Sequence, residues 1–202
     1  AVTATPHNDS TRSAKLANLG IYLGDRYNRT KSMADLERAI KVCEEAVSIA
    51  DPVSLSSCCI NLSSQLGQLY DRTGSMDDLM RATEAAQKSV EAADEGGTCL
   101  ARALKVLGKM LGRQYVQTHA RKDQDGSLSA FIRAWYCTTS PPSDRILSAK
   151  LAAELYALRA EWDEAYNLSR EAVLLLPKVS PRSLRQSDMQ EMLSPFSGLV
   201  TD

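Results

Sequence analysis

The chain has 202 residues and a mass of 22.1 kDa, a size at which about 70% of the unfolded surface can be buried, so a coreless peptide is excluded. Its 24 Lys and Arg nearly cancel its 25 Asp and Glu, which leaves no whole-chain field to draw in nucleic acid or an anionic membrane surface. With 10 Gly, 7 Pro and only 5% aromatic residues, the composition favours helices over a strand-and-turn fold.

No stretch approaches the length of an uncharged apolar membrane span, and the first residues lack a charged segment followed by an apolar run. The expectation is a cytoplasmic protein with no membrane or nucleic-acid partner. The five cysteines, Cys43, Cys58, Cys59, Cys99 and Cys137, are odd in number and lack C-x-x-C spacing. They read as reduced thiols used as small apolar side chains, with no metal and no cofactor.

In chain order, Ala1–Pro6 reads like the end of a second helix, as Ala46–Pro52 does, and residues 1–12 are taken as the end of a preceding repeat plus a loop. Leu16, Leu19, Leu23 and Tyr27 then recur at intervals of three and four, one stripe of an α-helix. A polar turn follows, and Ser32-x-x-Asp35 opens a second helix, where the serine can cap free N–H groups and the acid lies at the positive helix end. Its stripe is Leu36, Ala39, Ile40, Cys43, Ala46 and Val47. The unit is a helical hairpin, repeat 1 over 13–52.

The segment Leu23–Leu36 returns 43 positions later as Leu66–Leu79, with nine of fourteen positions identical. Repeat 2 over 53–97 carries the stripes Leu55, Cys59, Leu62, Leu66, Tyr70 and Leu79, Ala82, Ala86, Val90, with Ser75-x-x-Asp78 between them. A third copy follows another 45 positions on: Leu111, Gly112, Tyr115 and Thr118 match Leu66, Gly67, Tyr70 and Thr73. Repeat 3 over 98–140 has Leu100, Leu104, Leu107 and Leu111 in its first helix and Leu128, Phe131, Ala134 and Trp135 in its second. Asp123–Ser127 between them reads as a turn plus helix cap rather than a calcium loop, for it lacks the full set of alternating ligands. Repeat 4 over 141–177 runs from Ile146 to Leu158, turns at Ala160–Trp162, and continues from Asp163 to Leu176 before Pro177. Residues 178–202 are a linker and a last helix with the stripe Met189, Met192, Leu193, Phe196 and Val200. Both ends read as cut from something longer.

Tyr156, Ala165, Ala172 and Pro177 fall at the spacing of tetratricopeptide (TPR) repeats, and Ala39 and Ala46 keep the offset of Ala165 and Ala172. Periods of 43 and 45 instead of 34 depart from that pattern. The wording Leu23–Ile40, with the Pro177–Leu184 and Ser187–Gln190 segments, resembles the long-period repeats that precede CHAT domains, caspase-like protease domains, in fungal proteins. The resemblance implies an all-α, right-handed superhelical solenoid of TPR-like hairpins, and a downstream protease domain after residue 202 that this sensor regulates.

Chemistry is not expected within the chain. A caspase-like site needs a cysteine beside a histidine, and His7 and His119 both fall in turns away from the cysteines. The paired acids Asp77–Asp78 and Glu44–Glu45 lie at a helix start and on a solvated face. No phosphate-binding glycine loop, metal-binding helix motif or nucleophile elbow occurs. The chain therefore reads as a binding module rather than an enzyme.

Opposite the apolar stripe of each first helix lies a column that changes between copies: Asn18, Ile21, Asp25; then Asn61, Ser64, Gln68; then Val106, Lys109, Arg113. Lys105, Lys109 and Arg113 make a basic ridge at i, i+4, i+8. The expectation is that this column lines a concave groove. Asn61 and Gln68 would hydrogen-bond a peptide backbone, and the three cations would take an acidic or C-terminal carboxylate end of a protein or peptide partner. The alternative is a structural array that self-associates end to end through its exposed ends.

Overall fold

The computed structural model describes residues 11–95 and 97–179. Expectations that rest on Ala1–Pro6, on His7 and on the Met189–Val200 stripe lie outside the described residues. Among the described residues eight helices follow one another: α1 (Arg12–Thr30), α2 (Met33–Ser48), α3 (Pro52–Thr73), α4 (Met76–Glu91), α5 (Leu100–Thr118), α6 (Arg121–Tyr136), α7 (Pro142–Leu158) and α8 (Trp162–Leu175), with a 3-10 turn at Leu176–Lys178. They pair as four hairpins, α1 with α2 through α7 with α8.

Three of the four hairpin turns use one local device. Lys31, Gly74 and His119 take left-handed backbone with φ of 58°, 71° and 53°, and each donates its N–H to the carbonyl of Tyr27, Tyr70 or Tyr115 at 2.7–2.8 Å. A threonine one residue earlier completes the stop. Thr30, Thr73 and Thr118 donate their hydroxyls to the carbonyls of Arg26, Leu69 and Gln114, and accept the N–H groups of Ser32, Ser75 and Ala120.

This register corrects two expectations. Asp123–Ser127 is not a turn: α6 already begins at Arg121, because the stop at Thr118–His119 sets it in the frame of Met33 and Met76. Asp123 is the first-turn acid equivalent to Asp35 and Asp78, and accepts the Thr118 hydroxyl at 3.1 Å. Ser127 is buried and donates to the Gly108 carbonyl at 2.7 Å. Of the two expected serine caps, Ser75 accepts the Asp78 N–H, but Ser32 makes no side-chain cap bond. At that turn Asp35 is instead held by Arg26, whose Nε donates to Asp35 Oδ2 at 2.7 Å.

The hairpins close where small residues meet. A Cβ on Gly108 would lie 2.6 Å from the Phe131 ring, and one on Gly20 would strike Cys43 Sγ. Apolar stripes of both helices fill the space: Leu36, Leu79, Leu104 and Ile146 are all fully buried. One cluster of buried side chains runs from Tyr27 to Met110 across the first five helices, and another joins Leu128, Phe131 and Trp135 to Ile146, Leu168 and Ala172.

The stacking order decides where a binding face lies. Consecutive first helices touch (α1 with α3, α3 with α5, α5 with α7), whereas α2, α4 and α6 touch only the first helices on either side. Helices that meet are closer together than helices that do not, so the array bends with α1, α3, α5 and α7 on its inner, concave side. The described residues form an all-α solenoid of helical repeats.

Candidate functional site: the inner face of the first helices

At 100° per residue, the direction from α5 to its own partner helix is fixed by Gly108 against Phe131 and Gly112 against Ser127. The direction back to α3 is fixed by Met110, which lies 3.1 Å from the Cβ position of Gly67. The direction forward to α7 is given by Lys105, whose ammonium reaches the Asp144 carboxylate. The open sector between α3 and α7 carries Arg102, Lys105, Lys109, Arg113 and Val116. On α3 the same sector carries Asn61, Ser64, Gln68 and Asp71, and on α1 Asn18, Ile21 and Asp25. The variable column of the sequence is therefore brought together on the inner face, except Val106, which is buried in the core beside Leu107 and does not line the groove.

Its members differ in what they have left to offer. Asn18 and Asp25 are exposed on α1, while Asn61 and Gln68 are half-buried on α3. Ser64 spends its hydroxyl on the Ile60 carbonyl at 2.8 Å. Gln68 Oε1 is shielded from solvent and has no hydrogen-bond partner among the described residues; neither has the Oε1 of its neighbour Gln65, whose amide packs over Gly24. A buried amide oxygen without a partner costs about 1–3 kcal/mol, a cost relieved if the Gln68 side chain turns outward to meet a donor.

The basic ridge does not act as three equal cations. Arg113 donates to Asp71 Oδ2 of α3 at 2.5 Å. Lys105 donates to the Asp144 carboxylate of α7, which sits in the first turn of that helix. Lys109, between them and exposed, makes no hydrogen bond or ion pair among the described residues. Its pKa lies below the ordinary lysine value, first because flanking protein desolvates it and then because Lys105 and Arg113 repel its charge. An ammonium that reaches water yet is desolvated by its surroundings sits in a concavity.

Sequence reasoning missed Arg102. It is exposed, without a partner among the described residues, and seven positions before Lys109 on the same face, about 10 Å away along the axis. Stepping back from Lys109 by two full helical turns, seven residues, finds it. The two uncommitted cations of α5 are thus Arg102 and Lys109.

Other groups offer less. Cys43, Cys58 and Cys59 are buried, and burial pushes the Cys43 thiol up to about 12, which suppresses its thiolate. His119 stacks edge-on to Tyr115 in the turn after α5. Among the described residues no group of three His, Cys, Asp or Glu is placed to hold a metal ion, and no helix is long and apolar enough to cross a membrane. An open cleft of about 350 Å³ lies between the start of α5 and the end of α6, with Leu100, Leu104 and Ile132 at its floor and Glu95 and Arg133 at its rim.

No protein-family model matches the chain, and no curated protein matches it. Among solved structures it is similar to the de novo designed helical repeat protein DHR64, at 17% identity and a TM-score of 0.44 over 96% of this chain and 94% of that one. The DHF79 filament is similar at 18% identity and a TM-score of 0.42, over 94% of this chain and 98% of that one. The DHF119 filament matches at 19% identity and a TM-score of 0.38, over 94% and 92%.

Proposed function

We propose that the chain is a non-catalytic recognition module whose inner face binds an extended acidic peptide or partner segment. The observation that carries this reading is the pair of exposed, uncommitted cations Arg102 and Lys109 on α5, beside the half-buried amides of Asn61 and Gln68 on α3. Carboxylates of the ligand pair with the two cations in charge-assisted hydrogen bonds. Its backbone is hydrogen-bonded by the two amides, of which the Gln68 Oε1 has no partner among the described residues. Asp25 and Asn18 on α1 set the opposite end, where an acidic ligand is repelled and a neutral or basic stretch is accepted. The TPR-like periodicity and the resemblance to arrays before CHAT domains extend the reading: in a longer cytoplasmic protein the module senses its ligand and regulates a caspase-like protease domain.

The test is anisotropy titration with a fluorescein-labelled hexaglutamate peptide. Charge reversal of Arg102 and Lys109 together abolishes binding in this account. Equal affinity of the wild type and the reversed variant overturns it.

A second reading, end-to-end association of arrays, has its own observation. Trp162 and Tyr166 are each 65% exposed on α8, whereas Leu36 and Ile40, in the same register of α2 when Ala165 is aligned on Ala39, are buried. Light scattering over a concentration series separates the two: growing assemblies favour stacking, and a constant mass favours the sensor.

A further inference from the structure

Resting on the acidic-ligand reading above, we infer that Asp71 and Asp144 act as built-in competitors of the ligand: each holds one cation of the α5 ridge in a bridge to a neighbouring repeat, and an acidic ligand gains full affinity only by displacing them.

The geometry makes α5 the hub of the inner face. Arg113 is tied backwards to Asp71 of α3 and Lys105 forwards to Asp144 of α7. The two tied cations stand one helical turn on either side of Lys109, close enough for both to depress its protonation. A ligand carboxylate seated at Lys109 is therefore within one turn of each tied cation, about 6 Å along the axis. A run of several carboxylates can bridge Lys109 and a neighbour at once. In doing so it repeats the contact that Asp71 or Asp144 makes in the unliganded array.

The bridges are of the kind that can exchange. The Asp71 and Arg113 side chains are 48% and 33% exposed, and pairs that water reaches in this way contribute about 0.2–1 kcal/mol. The Lys105–Asp144 pair is more sheltered, at 12% and 22%, so the Asp71 bridge yields first. Because each bridge spans two repeats, exchanging it for a ligand removes a link between consecutive inner helices. The position a ligand occupies and the tightness of the array are thereby coupled.

The experiment compares hexaglutamate affinity of the wild type, the Asp71→Asn/Asp144→Asn variant and a Glu154→Gln control. Glu154 lies exposed on the inner face of α7 and pairs with no cation among the described residues, so its neutralisation alters the local field without releasing a cation. Asparagine is isosteric with aspartate, and a thermal melt of each chain confirms folding. The double variant is expected to bind about three- to tenfold more tightly than the wild type, from one or two exposed pairs, and the control less than twofold more tightly. The double variant removes two charges and the control one, so a gain in the double variant no larger than the square of the control's gain reduces the effect to net charge and overturns the competitor role. An unchanged affinity in the double variant, with a wild type that binds, overturns it while leaving the recognition reading intact. No binding by any of the three chains overturns the recognition reading itself.

Discussion

Asp71 on α3 and Arg113 on α5 are 42 residues apart in sequence and 2.5 Å apart in space. The acid ends one inner helix and the guanidinium sits on the open face of the next, so the bond is a seam between repeats at the edge of the binding face. A double-mutant cycle with Asp71→Ala and Arg113→Ala is expected to give a coupling of about 0.5 kcal/mol at low salt. The coupling falls toward zero in 1 M NaCl, where the Debye length shrinks to about 3 Å. A coupling that persists at high salt contradicts a solvent-reached bridge.

The left-handed hairpin stops predict opposite outcomes at equivalent positions. Lys31 and His119 hold positive φ with a side chain, and Gly74 holds it without one. Lys31→Gly and His119→Gly are each expected to stabilise the fold by about 0.5–1 kcal/mol, and Gly74→Ala to destabilise it by about 1 kcal/mol. Urea denaturation midpoints measure both signs.

Inside the hairpin the sign reverses again. An exposed mid-helix glycine replaced by alanine gains about 1 kcal/mol of helix propensity. At Gly108 the added methyl carbon would stand 2.6 Å from the buried Phe131 ring, and overpacking of this kind costs about 1–3 kcal/mol. Gly108→Ala is therefore expected to be destabilising, and Gly108→Ala with Phe131→Leu to recover part of the loss. Stabilisation by the single substitution contradicts the close packing of α5 on α6.

Asp35 supplies a pH signature. Its hydrogen bond from Arg26 is the largest influence, and holds its carboxyl below the ordinary carboxylate value of 3.8. A lowered folded pKa means that the unfolded chain binds its proton first as pH falls. The contribution is thus complete above the ordinary carboxylate range and is lost as pH drops through the depressed folded value. Asp51, lowered by the Ser54 N–H it caps, acts in the same direction. Asp35→Asn is expected to flatten the fall in thermal midpoint below pH 4, and an unchanged slope refutes the assignment.

The helical hairpins and their register were legible because each repeats: Tyr27, Tyr70 and Tyr115, or Leu36 and Leu79, recur at nearly constant period, and two copies confirm each other. Asp123–Ser127 was misread for the complementary reason. Its Asp-rich, Gly-containing wording looks like a turn locally, and only the Thr118 stop upstream fixes it within α6. The polar column was legible as a helix face, since 100° per residue places Asn61, Gln68 and Lys109 without any tertiary information. The ion pairs of Lys105 and Arg113 were not, because their partners lie 39 and 42 residues away and depend on how consecutive hairpins stack. Arg102 lies off a ridge stepped in fours from Lys105, because the two exposed cations are separated by seven residues.

The most direct measurement of the account is the affinity of hexaglutamate for the wild type and for Arg102→Ala, Lys109→Ala and the pair together, at constant ionic strength. Each single substitution is expected to weaken binding by about 0.5–1 kcal/mol, the upper range for solvent-reached ion pairs, and the pair by about the sum of the two, while the thermal midpoint stays within a few degrees. Wild-type affinity in the folded double variant contradicts the inner face as the binding site.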